Sequence, residues 1–454
     1  MTERTLVAIL AGREIGRIMQ DRDGSLAFAY DRAWRSLAGA VPLSLSMPLS
    51  RPDHRHAVVD AFLWNLLPDD GQVIAAWSRA FHVSPLNAFG LLAHVGEDCA
   101  GAVQLARPER VAALQAEQQR DNAWIDDADV ARRLRALRQD RGAWRLPGDH
   151  GQFSLAGAQR KTALLREGGR WGVPAGRTPT THILKPPVPG FDGHVENEHL
   201  CMALARALGL PTAGTEVMRF EDETAIVVER FDRLVTATLA AEAAAAGDGV
   251  RAQSLAGLAR TEPILRRHQE DLCQALGLHP RLKYQSDGGP SARHVATLLR
   301  AHSGKPDEDV ATFLDALAFN WLIGGTDAHA KNFALLHDAG GKVRLAPLYD
   351  VGSALPYPSL DQHRLKLSMK VGGTYRLRDI GPRQWRKQAA ELDLDPDATA
   401  DRALALAAAL PEQARIVCDG ARKDGLSHPI VGRLEAALVE RADWCRRVLQ
   451  GKAA

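Results

Sequence analysis

Three polar residues stand at spacings that serve phosphoryl transfer: Asp327, Asn332 and Asp350, all within WLIGGTDAHAKNFALLHDAGGKVRLAPLYD (Trp321–Asp350). Such a transfer needs one carboxylate to orient the acceptor hydroxyl and take its proton. It also needs an amide oxygen and a second carboxylate to hold Mg²⁺ against nucleotide phosphates. Asp327 lies five positions before Asn332, so it suits the first role, with Asn332 and Asp350 as metal ligands. Between them FALLH (Phe333–His337) and VRLAPL (Val343–Leu348) read as two strands joined by Asp338-Ala339-Gly340-Gly341, residues that tolerate positive φ. His329 follows Asp327 by two positions, where it either touches a γ-phosphate or packs the loop, and Lys331 is a further nucleotide-contact candidate in the same loop.

Elements that must position these groups are legible on both sides. Val310, Phe313, Leu314, Leu317, Trp321 and Leu322 recur at helical spacing and stop at Gly324-Gly325, so a rigid helix delivers Asp327. Upstream, Ala156, Gly157 and Ala158 form a small-residue loop whose backbone N–H groups can approach phosphates. TALL then reads as a strand turning at Glu167-Gly168-Gly169, and THILKPP as the next, with Lys185 near its end. A lysine there suits the α- and β-phosphates, and Pro186-Pro187 ends the strand at once. ENEHLCMALARALGLP is a helix by the recurrence of Leu200, Ala203, Leu204, Ala207 and Leu208, closed by Gly209 and Pro211. Glu196, one turn before Leu200, is placed either to pair with Lys185 or to favour the helix dipole. TEVMRF and AIVVERF make a hairpin that runs into Glu229-Arg230-Phe231, where a hinge against an adenine belongs.

This order of parts resembles the HipA family of bacterial serine/threonine protein kinases, the toxins of HipBA-type toxin–antitoxin pairs. The matching segments are SLAGAQRKTALL, THILKPP, ENEHLCMALARALGL, VVERFDR, HQEDLCQALG, KYQSDGGP, WLIGGTDAHAKNFALL and PLYDVGSALPYP, which span Ser154 to Pro358; GREIGRI and NLLPDD near the N-terminus match as well. The resemblance implies an α+β, two-lobed protein-kinase-like fold related to phosphoinositide kinases, with ATP and Mg²⁺ as cofactors and a protein serine as acceptor. It implies Lys185 as an ATP ligand, Glu229 and Phe231 at the adenine, Asp327 as catalytic base, and Ser154 as an autophosphorylated serine. It also implies a HipB-like DNA-binding antitoxin, operator DNA reached through that complex, and a translation-related protein substrate such as an aminoacyl-tRNA synthetase. Leu234–Leu265, with its AAEAAAAGDG run, departs from the family pattern and reads as an insertion or a weak helix plus loop. A small-molecule or lipid kinase on the same fold, and a non-catalytic nucleotide-binding corepressor, are the alternative readings.

Breaks in pattern divide the chain. Residues 1–105 form a small α/β N-terminal subdomain, with strands TLVAIL, EIGRIM and LAFAY and a helix around VVDAFLWNLL. Residues 106–150 are a helical connector ending at the Leu146-Pro147-Gly148 break. Residues 151–232 form the lobe with the phosphate loop, and 233–454 a mainly helical lobe with the catalytic loop. With 454 residues, 45% hydrophobic and 25% charged, the chain is ample for two or three units with real cores. A net charge of +2 does not by itself announce a nucleic-acid binder. Five scattered cysteines with no CxxC suggest neither a disulfide framework nor a zinc site, and sixteen histidines show no ligand spacing. No apolar run has the length of a membrane span, so the expected location is the cytoplasm. From Arg364 to Lys387 there are eight Lys/Arg against Asp379 alone. That run is a solvated basic face, a docking face for an acidic protein, or a contact to DNA phosphates through residues such as Arg383, Arg386 and Lys387.

Overall fold

Alternation of apolar residues in the first thirty positions builds the first sheet. Its antiparallel order is Asp53–Arg55, Leu26–Tyr30, Arg13–Gln20, Arg4–Leu10, Gln104–Ala106. Side chains on a strand point alternately to its two faces. On Arg4–Leu10, Leu6, Ala8 and Leu10 face the main core, whereas Val7 and Ile9 meet Ala106 and Leu114 on the other side. The helices His56–Asn65, Gly71–Phe81 and Ala88–Val95 cover this sheet and with it make up an N-terminal unit. The computed structural model describes residues 4–115, 122–140, 153–175, 178–259, 263–338 and 340–452. The Leu146–Gly148 break and Ala339 lie outside them.

A second antiparallel sheet forms the next lobe, in the order Thr215–Phe220, Glu223–Glu229, His182–Lys185, Thr162–Glu167, Arg170–Val173, Ala123–Ile125. Its last strand corrects the reading of 106–150 as a helical connector. Besides the helices Pro108–Gln115 and Asp127–Gln139, that stretch supplies an edge strand to this lobe. Three residues are too short to show a period in sequence. Leu164, Trp171, Leu184, Phe220, Ala225 and Val227 share one apolar cluster with the N-terminal sheet and helices, so the two units form one continuous core.

The remaining lobe is mainly helical, as the α+β reading requires. Pro306–Ile323 starts with Pro306 at its first turn and three acids, Asp307, Glu308 and Asp309, near the positive end of its dipole. It ends at Gly324, whose φ of +64° suits a residue without a Cβ. Every member of the expected apolar stripe is buried, and Phe313 packs edge to face on Phe333 with ring centroids 5.1 Å apart. Helices Pro382–Glu391, Pro396–Lys423 and Ile430–Leu449 close around it. Two strands, Ala334–His337 and Val343–Leu345, form the expected hairpin and are joined at the edge by Gln269–Asp271. The insertion is more ordered than a weak helix plus loop. Arg233–Val235 pairs with Ile264–Arg266, and between them stand helices Thr236–Ala245 and Gly249–Leu258, the second with no buried residue. No described helix is long and apolar enough to cross a membrane.

Phe313 ties the long helix to the catalytic loop, so its truncation is costly. Phe313→Ala is expected to lower unfolding free energy by about 3–5 kcal/mol, measured by urea denaturation. A loss below about 1 kcal/mol would show that the helix–loop packing is not what stabilises this lobe.

Candidate active site

The central strand His182–Lys185 lies between Glu223–Glu229 and Thr162–Glu167, in register with Ile226 opposite Lys185. Pro186-Pro187 ends it there, and Lys185 is buried at the strand tip. Its ammonium donates to Glu198 Oε1 at 2.6 Å and to Asp350 Oδ1 at 2.7 Å. Burial works against a charged amine here, but Asp350 and Glu198 outweigh it and raise the lysine's pKa above the ordinary value. The same contacts, with Lys161 nearby, hold the Asp350 carboxyl below the usual carboxylate range despite its burial. Asp350 has φ +59°, an unusual backbone state for a residue with a side chain.

The lysine's partner is Glu198, not Glu196. The expectation placed Glu196 one turn before Leu200 in a stripe that runs to Ala207 and Leu208. Leu200 and Leu204 are buried, but Ala207 is exposed, whereas Val195, Asn197, Glu198, Cys201 and Ala205, off that stripe, are buried as well. Helix His194–Ala207 is covered on most sides over its first two turns, so apolar periodicity does not single out the acid that faces Lys185. Glu198 Oε2 has no hydrogen-bond partner among the described residues.

Asp327 emerges two residues after the paired glycines that end the long helix. Its backbone carbonyl is a hub: it accepts from His329 N at 2.7 Å and from Asn332 Nδ2 at 2.8 Å. The amide nitrogen of Asn332 being so committed, its oxygen is the end left to face a cation. Tyr284 Oη donates to Asp327 Oδ1 at 2.8 Å. Burial raises the Asp327 pKa, the Tyr284 hydrogen bond lowers it, and Asp350 raises it, with the net shift upward. His329 stands edge-on to the Tyr284 ring at 5.0 Å. Burial and Lys283 lower its pKa to about 4, so the ring is neutral near pH 7. Its Nδ1 is buried and has no hydrogen-bond partner among the described residues.

Ala156, Gly157, Ala158, Lys161, Lys185, Glu229, Phe231, Asp327, His329, Lys331, Asn332 and Asp350 line one cleft of about 660 Å³. That volume is in the range of small-molecule and cofactor sites. Phe231 offers a half-buried ring 5.6 Å from that of Tyr349, and Glu229 is exposed at the rim. Hard oxygen donors, a carboxylate from Asp350 and an amide from Asn332, face the same cleft, and this donor chemistry fits Mg²⁺. Lys331 is differently used from the nucleotide contact expected of it. Its ammonium is bound by Asn65 Oδ1 at 2.8 Å, Asn65 O at 3.1 Å and Asp271 Oδ2 at 2.9 Å.

Sequence reasoning missed two lysines and a tyrosine. Lys161 is buried and donates to Ala156 O at 2.5 Å, across the turn made by Gly157 (φ +102°). Burial and the neighbouring Lys185 lower its pKa to about 8. Lys283 reaches Asp69 Oδ2 at 2.7 Å, and its backbone carbonyl accepts from Ala330 N in the catalytic loop. The only signal for Lys283 and Tyr284 was the KYQSDGGP motif itself, which carries no chemical spacing of its own. Ser154 is fully buried, donates through Oγ to Leu66 O at 2.6 Å and through its N–H to Asp98 O at 3.0 Å. Gly157 O accepts from Asp69 N at 3.1 Å. The NLLPDD segment thus seats the Ala156–Ala158 loop. Arg383, Arg386 and Lys387 lie on helix Pro382–Glu391, exposed and outside this cleft, with Arg386 paired to Asp397 and Lys387 near Glu391.

The chain is similar to known proteins over most of its length. A family model described as the HipA-like C-terminal domain matches residues 153–414, and one described as the HipA N-terminal domain matches 6–106. The chain is 36% identical over 447 residues to the putative kinase Y4mE of Sinorhizobium fredii, covering 95% of this chain and 98% of that one. It is 29% identical over 372 residues to the serine/threonine-protein kinase toxin HipA of Shewanella oneidensis, covering 79% and 77%. Among solved structures it matches the Shewanella oneidensis MR-1 toxin–antitoxin system of HipA, HipB and its operator DNA, with a TM-score of 0.79 over 98% of both chains at 24% identity. That likeness establishes the two-lobed kinase-like fold.

Pairing of Lys185 with Glu198 has a direct consequence. Glu198→Gln is expected to weaken ATP binding about tenfold, about 1.4 kcal/mol, because Lys185 loses one of its two anionic partners. Glu196→Gln is expected to leave it unchanged. Calorimetric titration with ATP checks both, and equal affinities for the Glu198 variant and wild type would overturn the pairing.

Proposed function

Because this chain belongs to the HipA family, we propose that it is an ATP-dependent serine/threonine protein kinase acting as the toxin of a type II toxin–antitoxin pair. The observation that carries this reading is the convergence of Lys185, Asp327, Asn332 and Asp350 on one cleft behind a small-residue loop. In the proposed reaction ATP lies between the sheet and the helical lobe, with its base against Phe231 and its phosphates under Ala156–Ala158. Lys185, fixed by Glu198, takes the α- and β-phosphates. Asp327 orients a seryl hydroxyl and accepts its proton as the oxygen attacks the γ-phosphorus; the O–P bond forms as the bond to ADP breaks. Asn332 and Asp350 would hold Mg²⁺, which when bound neutralises charge on the phosphates. The protein's own contribution is positioning and fixed charge, the main levers in phosphoryl transfer.

Three finer readings accompany it. The acceptor is a translation-related protein such as an aminoacyl-tRNA synthetase, as the resemblance implies. A HipB-like antitoxin binds the chain, and with it the complex co-regulates its operon by sitting on operator DNA. Ser154 is an autophosphorylation site. Its hydroxyl is buried against Leu66 O, so phosphorylation requires the loop to leave its seat. A phosphate carrying roughly −1.5 to −2 charges would then oppose the return of the loop towards the nucleotide.

Asp327→Asn is expected to lower transfer to protein serine by a factor on the order of 10² or more, with thermal melting unchanged. Radiolabelled transfer from ATP measures it, and near-wild-type activity would sink the mechanism. Arg383→Glu with Arg386→Glu is expected to weaken operator binding by the antitoxin complex and to flatten its dependence on salt. It should leave antitoxin binding itself intact. Identical salt slopes for variant and wild type would remove the DNA role.

A further inference from the structure

One residue outside the cleft touches three of the parts that shape it. Asp98 belongs to the N-terminal unit and is buried. Its backbone carbonyl accepts from Ser154 N at 3.0 Å, and Asp98 bridges Phe153 in parallel, so it fixes the entry to the phosphate loop. Through its carboxylate it reaches the other two. Oδ2 accepts from Thr180 N at 2.9 Å and from Thr180 Oγ1 at 2.7 Å. Thr180 stands just before the strand that carries Lys185. Oδ1 accepts from Arg233 at 2.8 Å and from Arg266, while Arg230 lies 3.7 Å from Oδ2.

Arg230 and Arg233 flank the hinge residue Phe231, and neither is available to solvent. Arg230 donates to Cys99 O at 2.8 Å and to Asp232 at 3.0 Å, and Arg233 donates to Cys99 O at 3.0 Å and Gly101 O at 2.8 Å. Asp232 in turn accepts from Gly101 N at 2.6 Å. Three arginines therefore meet two aspartates in one buried network that runs from Asp98–Gly101 to both ends of the hinge. A buried network of this kind adds little net stability compared with apolar packing. What it does add is a single allowed arrangement of the groups it joins.

We propose that Asp98 is a positioning residue for the nucleotide, by which the N-terminal unit sets the phosphate loop, the Lys185 strand and the hinge in one mutual geometry. This rests on the kinase reading, since ATP is the ligand that would bridge loop, lysine and hinge together. ATP spans all three, so an error in their relative placement lowers nucleotide affinity. Asp327 and Asn332 stand on the other lobe and are not touched by Asp98.

The test compares full-length wild type, Asp98→Asn and Thr180→Val by direct ATP titration and by steady-state phosphorylation of protein serine. For Asp98→Asn the expected result is an increase of about tenfold in both Kd and KM for ATP, with kcat at saturating ATP within about twofold of wild type. A residue that only held the fold would instead lower kcat with the active fraction and leave KM for ATP unchanged, and that result would overturn the proposal. Removal of a buried charge can prevent folding; in that event Thr180→Val decides, with an expected rise of about threefold in Kd and KM for ATP against an unchanged value that refutes it. Failure of wild type to bind ATP would strike the kinase reading instead, so the two failures are distinguishable.

Discussion

The contact between Lys185, Glu198 and Asp350 is the constraint around which the rest is organised. It joins the central strand of one lobe and the helix that follows it to a segment remote in sequence, the one after the hairpin of the other lobe. An ammonium taken out of water needs compensating charge, and here two carboxylates at 2.6 and 2.7 Å supply it. Because neither lobe alone satisfies the lysine, the charge pattern is complete only when the lobes are correctly placed. Such a cluster contributes less to stability than to specifying one arrangement, and the cleft inherits its shape from it.

Around that contact the N-terminal unit acts as a third wall. Its NLLPDD segment reaches the phosphate loop through Leu66 and Asp69, the catalytic loop through Asn65 on Lys331, and the KYQSDGGP segment through Asp69 on Lys283. Ser44 and the Leu45 N–H bind Glu270, which also accepts from His337. Polar contacts of this density, over one shared apolar core, make the unit part of the catalytic architecture.

Asp327 and Asp350 show how environment divides two like groups. Both are carboxylates of the same cleft. Asp350 faces Lys185 and is held in its charged form. Asp327, bound by a tyrosine hydroxyl, is shifted the other way, chiefly by burial. Separation of this kind suits one group to hold a cation and the other to accept a proton. Neither shift is visible in the residue types.

Much of the candidate site was legible in the sequence because its parts are local. The five-residue step from Asp327 to Asn332, the glycine pair that stops the preceding helix, and the strand that ends in Lys185-Pro186-Pro187 are all fixed by backbone rules acting over a few positions. The apolar stripe through Phe313 and Trp321 was readable for the same reason, since one face of a long helix repeats its period several times. What only the tertiary structure decided were the pairings between distant segments. Glu198 rather than Glu196 faces Lys185 because the helix is covered on most sides there, which erases the period that would tell the two apart. Lys331 turned to Asn65 and Asp271, the strand Ala123–Ile125 joined the second sheet, and Asp98 met Arg233 and Arg266 for a related reason. Each depends on how separate elements come together, and no spacing along the chain encodes the distance between residues that meet only when the fold closes.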